Sequence, residues 1–213
     1  KEDIYDSLLQ RMGVARCDTL GELCEILKLF HIHGVLKNDK VSIMGPSGGD
    51  MAMIGDVAEK LSINFAKIPS KIKSDLQKVN HPSVLISNPF DLQTYNWNDP
   101  KQLAKTFKLM FKTNFGLNVL MLDFPNIEDC DTQEWDAIVD EFIKSSKIKK
   151  NGAIISSLSD TLPKYLREKC LKSGVVPLQG MYEGLLAISN SIKIQKAWKK
   201  NIDIKIPKNI PNL

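Results

Sequence analysis

The segment Leu117-Asn118-Val119-Leu120-Met121-Leu122-Asp123 leaves this chain few folds to choose from. It is an almost unbroken apolar run closed by an acid, the pattern of a strand buried on both faces. Such strands belong to parallel sheets covered by helices on each side. A second strand, Val41-Ser42-Ile43-Met44, runs straight into Gly45-Pro46-Ser47-Gly48-Gly49 and then a helix with Met51, Ile54, Ala58 and Leu61 inward. Strand, tight glycine turn and helix form the opening unit of a doubly wound sheet. Further strands are predicted at Ile63 to Ile68, Ala153 to Ser156 and Val175-Val176. Strands alternating with helices specify an α/β fold with a parallel sheet between two helical layers.

The helices between them follow from caps and spacing. Ser70 to Val79 is a short helix. Asp99-Pro100 starts the next, which carries Leu103, Phe107, Met110 and Phe111 inward and is expected to end at Gly116. Asp131-x-x-Glu134 opens a helix with Trp135, Ile138, Val139 and Phe142 inward, Pro163 opens another, and Met181 to Trp198 is the last. Ahead of the sheet lie two helices. In the first, Ile4, Tyr5, Leu8, Leu9 and Met12 recur at helical spacing and Gly13 is the stop. The second is opened by the capping box Thr19-x-x-Glu22, places Leu23, Ile26, Leu27 and Phe30 on one face and ends at Gly34. The chain divides into a helical lead-in (1–38), an α/β domain (39–199) and a tail (200–213) whose Pro, Lys and Asn content reads as linker.

Composition removes several function classes. Of 213 residues 25% are charged, and the net charge of +4 is interspersed with acids along the chain. No basic stripe with interleaved aromatics suggests nucleic acid. Cys17, Cys24, Cys130 and Cys170 form no C-x-x-C pair, which fits a reducing, cytoplasmic setting rather than a zinc ribbon or a disulfide scaffold. His31, His33 and His81 have neither metal-ligand spacing nor a cysteine cluster. His31 and His33 close a helix, where the dipole favours imidazolium. No apolar run is long enough to span a bilayer, and no signal peptide is visible. The chain opens on Lys1 rather than Met, so a fragment or a processed chain is expected.

Ligands in open parallel sheets bind beyond the carboxyl ends of the strands, which selects four loops. Gly45 to Asp50 is the first. Its glycines permit close approach, and the helix after it offers unpaired amides and a partial positive charge, so Ser47, Gly48 and Gly49 are the candidate phosphate-binding residues. The loop has neither a dinucleotide fingerprint nor a P-loop lysine, and a plain strand-to-helix turn remains open as its reading. Asp50 caps the helix and repels a closely bound anion. The second loop holds Asn88 and Asp91 around Pro89 and is also readable as a turn. The third, Asp123 to Asn126, places Asp123 either toward a ligand or as a cap. The fourth, Ser156 to Ser159, lacks a nucleophile elbow and a base.

The order of these motifs resembles the NDP-forming (ADP-forming) acyl-CoA synthetases. Lys1-Glu2-Asp3-Ile4-Tyr5-Asp6-Ser7-Leu8-Leu9, then Gly13-Val14-Ala15-Arg16 and Asp18-Thr19-Leu20-Gly21-Glu22-Leu23, is similar to the segment that follows the family's phosphohistidine domain. Val41 to Gly49, with Asp56 and Ala58 beyond it, looks like the family's strand and glycine turn. Asn88-Pro89-Phe90-Asp91-Leu92 resembles its N-P-x-D-L signature. The resemblance implies a flavodoxin-like, succinyl-CoA-ligase-like domain of an ATP-dependent acid–CoA ligase. In that family ATP phosphorylates a histidine, the phosphoryl group passes to a carboxylate, and CoA displaces phosphate. The helix after Ser47-Gly48-Gly49 would help cradle the phosphohistidine. ATP with Mg and CoA are cofactors of the complete enzyme, and neither is expected to be held fully by this chain.

The family's histidine segment is absent, and the role passes to none of His31, His33 and His81, so no catalytic residue is expected here. Phosphohistidine-bearing, CoA-binding and ATP-grasp domains are the expected partners, on the same polypeptide or another subunit. Two other readings remain: a non-catalytic docking or regulatory module, such as a synthetase-like region fused to an acyltransferase, and a free-standing flavodoxin. The second is disfavoured by a loop with one Ser and no Thr.

Overall fold

The computed structural model describes residues 2–125 and 130–200, leaving aside the side chains of residues 2 and 3. The expected tail and Asn126 of the third loop lie outside the described residues, apart from residue 200 of the tail. In chain order the elements are α1 (Glu2–Met12), α2 (Leu20–His33), β1 (Val41–Gly45), α3 (Gly48–Lys60), α4 (Ser70–Val79), β2 (Phe90–Asp91), α5 (Pro100–Phe111), β3 (Leu117–Met121), α6 (Gln133–Ser146), β4 (Gly152–Ser156), α7 (Lys164–Ser173), β5 (Val175–Gln179) and α8 (Met181–Lys199). The sheet is parallel throughout, in the order β2-β1-β3-β4-β5. That is the flavodoxin-like winding, with the chain reversing direction across the sheet between β1 and β3.

The two-residue period of the strands sorts the core. Leu120 joins Phe107, Phe111, Ile138 and Phe142 beneath α5 and α6. Val119 and Met121 join Ile54, Leu185, Ile188, Ile26 and Leu29 beneath α3, α8 and α2. Every residue of β1, β3 and β4 is buried, as a strand covered on both faces requires. On the α5–α6 side Phe107 and Phe111 meet Phe142 with ring centroids 5.4 and 5.2 Å apart, within the range of favourable aromatic pairs.

Four expectations are corrected. The strand predicted at Ile63 to Ile68 shrinks to one parallel bridge, Val41 to Phe65. The edge position falls instead to Phe90–Asp91, paired with Met44 and Gly45. Helix α5 stops at Phe111, with Lys112 as its C-cap. Gly116 serves a close approach of two loops, since a Cβ there would stand 2.4 Å from the Asn38 carbonyl oxygen.

The third correction concerns the lead-in. Helix α2 buries Glu22, Glu25, Ile26 and Leu29, while Leu23 and Leu27 are exposed. Two carboxylates set this rotation. Glu22 accepts from the Asp18 amide at 2.7 Å in the expected capping box, and Glu25 accepts from the Gln179 amide at 3.0 Å. In α1 the apolar stripe also faces outward: Ile4, Tyr5, Leu8 and Met12 are all at least half exposed. Asp6, Leu9 and Gln10 share a cleft with Asn190 and Lys193 of α8.

His33 reverses the expectation for the helix end. Its Nε2 lies 2.9 Å from the Gly152 carbonyl oxygen, and burial holds the imidazole below its usual range, outweighing that hydrogen bond. A folded-state pKa below the unfolded one means that the unfolded chain takes up the proton first as pH falls. The contribution is therefore intact above the unfolded value and is lost in acid. The melting temperature is expected to fall between about pH 7 and about pH 5, and His33→Gln to flatten that slope. An equal slope in the variant removes His33 as its cause.

Candidate functional site

At the carboxyl edge of the sheet, at the switch between β1 and β3, the chain leaves β1 through Gly45. A Cβ at Gly45 would come within 2.8 Å of the Met121 carbonyl oxygen and 2.9 Å of the Met51 methyl carbon. Glycine thus lets β1 turn tightly over β3, so that α3 begins at the switch point. Ser47 is the N-cap of α3, its Oγ accepting from the Asp50 amide at 3.2 Å, while its carbonyl accepts from the Met51 amide at 3.1 Å. Capping consumes an acceptor site of the hydroxyl and leaves its proton available to a ligand. Among the described residues no acceptor takes the amides of Gly48 and Gly49. These are orphan donors of a helix N-terminus, where partial positive charge collects.

The remaining sequence candidates divide by role. Asp91 converges on this site: its Oδ2 lies 2.8 Å from where a Cβ on Gly48 would stand, and its Oδ1 accepts from the Gln93 amide at 2.8 Å. A carboxylate thus rests against the opening of α3, favourably placed for the dipole and unfavourably for an incoming anion. Asp50, half-buried in the first turn, adds like charge.

Asn88 is a structural clamp. Its Nδ2 donates to the carbonyls of Val41 and Ala66 at 2.8 Å each, and its Oδ1 accepts from the Ile43 amide at 3.1 Å. Asp123 is also committed. It accepts from the Ser157 amide at 2.8 Å, the Ser157 hydroxyl at 2.6 Å and the Thr161 hydroxyl, which ties the loop after β3 to the loop after β4. Capping is thus what the third loop does with its acid. Among the described residues no cluster of His, Cys, Asp and Glu has the makings of a metal site.

One cluster at the carboxyl end of β5 is not evident from sequence patterns. Lys28 pairs with Glu25 at 2.6 Å, and burial draws its ammonium below the usual lysine range, partly offset by Glu25. The only local signal is a Glu–Lys pair at i,i+3, which on most helices is a solvated surface contact. Its effect here is to fasten α2 to the exposed edge of the sheet. The position of Asp91 on Gly48 has no local signal either, because the strand order alone brings 91 beside 48.

No family model matches the chain. It is 24% identical over 207 residues to the 4-hydroxybutyrate–CoA ligase [ADP-forming] of Nitrosopumilus maritimus (strain SCM1), covering 97% of this chain and 28% of that protein. With the acetate–CoA ligase [ADP-forming] of Methanocaldococcus jannaschii it shares 22% identity over 89 residues, 42% of this chain and 13% of that one. The chain therefore spans less than a third of the length of either relative. Among solved structures, PH0766 from Pyrococcus horikoshii OT3 superposes with a TM-score of 0.75 at 18% identity, over 92% of this chain and 44% of that one. A dinucleotide forming acetyl-coenzyme A synthetase 1 of Ca. Korarchaeum cryptofilum, in complex with phosphate and ADP, superposes with a TM-score of 0.75 at 12% identity, over 93% and 42%. At these identities the structural matches establish the shared fold.

Because Asn88 alone satisfies two backbone groups of β1 and one of the neighbouring 63–68 segment, Asn88→Ala is expected to cost about 2–4 kcal/mol, read from urea unfolding. A loss well under 1 kcal/mol would mean that water replaces the clamp without penalty.

A match along 97% of the sequence to an ADP-forming ligase, on a fold shared with a solved acetyl-coenzyme A synthetase, marks this chain as an NDP-forming acyl-CoA synthetase-like domain.

Proposed function

We propose that this chain is part of the catalytic unit of an ATP-dependent, ADP-forming acid–CoA ligase, and that the opening of α3 holds the phosphoryl group of a phosphohistidine or acyl-phosphate intermediate. The observation that carries the reading is the pair of unengaged amides, Gly48 and Gly49, at the switch point of the sheet. Fixed backbone donors and a helix dipole stabilise a phosphoryl dianion. Ser47 adds a hydroxyl proton from the cap position. In this reading residues 1–38 are the link from a histidine-bearing domain, residues 39–199 are the ligase domain and residues 200–213 are a tail or linker. Histidine, CoA and ATP come with further domains or subunits, as the greater length of the relatives suggests. No helix among the described residues is long and apolar enough to cross a membrane. We place the protein in the cytoplasm, where its scattered free thiols remain reduced.

Asp91 governs how the site works. With its carboxylate against Gly48, the opening of α3 is electrostatically balanced while no phosphoryl group is present. An arriving dianion must displace that carboxylate, so the cradle binds phosphate weakly and releases it readily. The same acid favours a second reading, in which the domain has lost catalysis and serves as a docking or regulatory module.

One reconstitution separates the two. The chain alone is expected to form no acyl-CoA, and activity is expected to appear when it is combined with the histidine-bearing, CoA-binding and ATP-grasp parts of the same ligase. Reconstituted enzyme that remains inactive while its parts are folded favours the regulatory module. Asp91→Asn keeps an acceptor for the Gln93 amide and removes the charge. It is expected to lower stability by about 0.3–1 kcal/mol through the lost dipole interaction, and to tighten phosphate binding several-fold in calorimetric titration. Phosphate affinity that does not change in this variant places the anion elsewhere.

A further inference from the structure

A second cluster of positive charge lies at the opposite, amino edge of the sheet, in a cavity of about 470 Å³ between the segment after α2 and the segment after α6. Lys37, Lys149 and Lys150 line it from these two segments, and no Asp or Glu is among its lining residues. None of the three ammonium groups is engaged in an ion pair or side-chain hydrogen bond among the described residues. Asp39, the nearest acid in sequence, is itself paired with Lys196 at 3.0 Å. Asn38 and Asn114 add amide groups to the wall, and Gly116, in the segment after α5, closely approaches Asn38.

Lysines after helix C-termini usually answer the negative end of the dipole. Here the last carbonyl of α6 and the Phe30 carbonyl of α2 already have partners. The Ser146 carbonyl accepts from the amides of Lys149 and Lys150 at 3.2 and 2.7 Å, and the Phe30 carbonyl from the Gly34 amide at 2.9 Å. Lys150 also has φ 53°, a left-handed position after a helix that is ordinarily given to Gly or Asn. A pocket of this size with unpaired cations from two segments and no counter-charge attracts a compact, multiply charged anion.

We infer that the amino edge of the sheet is a binding site for a di- or polyphosphate group, separate from the opening of α3. Lys149 and Lys150 hold it from one side, and Lys37 from the other. The inference does not depend on the ligase reading, because the cavity lies at the other end of the strands.

Calorimetric titration of the 213-residue chain with inorganic pyrophosphate tests it, at about 50 mM salt where exposed charges are weakly screened. Saturable binding is expected, weakened about tenfold in Lys149→Gln/Lys150→Gln, with less loss in Lys37→Gln and little change in Gly48→Ala. All of these lysines are exposed, so circular dichroism should show unchanged folding in the variants. Absence of saturable binding overturns the site, as does an affinity that survives the double substitution. Equal weakening by Lys71→Gln/Lys73→Gln on α4 also overturns it, by showing diffuse attraction. Loss in Gly48→Ala with the lysine variants unaffected moves the ligand to α3 and refutes the amino-edge site while supporting the cradle.

Discussion

The outer edge of β1 is finished by a side chain, and the geometry at the carboxyl edge of the sheet depends on that substitution. Where a longer edge strand would donate and accept along β1, Asn88 supplies an amide that does both, to Val41, Ile43 and Ala66. A buried backbone group left without a partner is costly, so the clamp fixes the segment 88–91 beside β1. From there the chain makes the short pairing of Phe90 and Asp91 with Met44 and Gly45 and delivers the Asp91 carboxylate to Gly48. The N-P-F-D-L run joins structure to site in this way: its asparagine holds the sheet edge and its aspartate reaches the helix opening.

That division of labour explains what could be read in advance. The turn from β1 into α3, the buried strand at 117 and the inward faces of α3, α5 and α6 each follow from local periodicity and glycine placement, and the structure reproduces them. The edge strand does not, because a short apolar run such as Ile63 to Ile68 has the same local signature whether or not a side chain takes over its hydrogen bonds. The rotation of α2 is invisible for a related reason. A hydrophobic stripe at Leu23 and Leu27 implies burial unless carboxylates at Glu22 and Glu25 have specific amides to receive, and one of those amides, that of Gln179, lies 154 residues away.

The candidate site was legible to a similar depth. A glycine turn before a helix announces orphan amides, and Gly48 and Gly49 have them. What escapes local reading is the company they keep. Asp91 comes to rest on Gly48 through sheet order, and Asp123, though well placed on the loop after β3, spends its acceptors on Ser157 and Thr161. Position at the carboxyl edge of a strand is therefore a weaker guide to chemistry than a count of which polar atoms remain unspent.

The orientation of α1 has a practical bearing on how the isolated polypeptide behaves. Its oily residues, Ile4, Tyr5, Leu8 and Met12, are turned to solvent, and Leu20, Leu23 and Leu27 add a further greasy strip on α2. Water penalises such surfaces in proportion to their area. Crowded preparations of the polypeptide will tend to stick to themselves, to hydrophobic resins and to detergent micelles, even though an extensive α/β core is buried behind those helices.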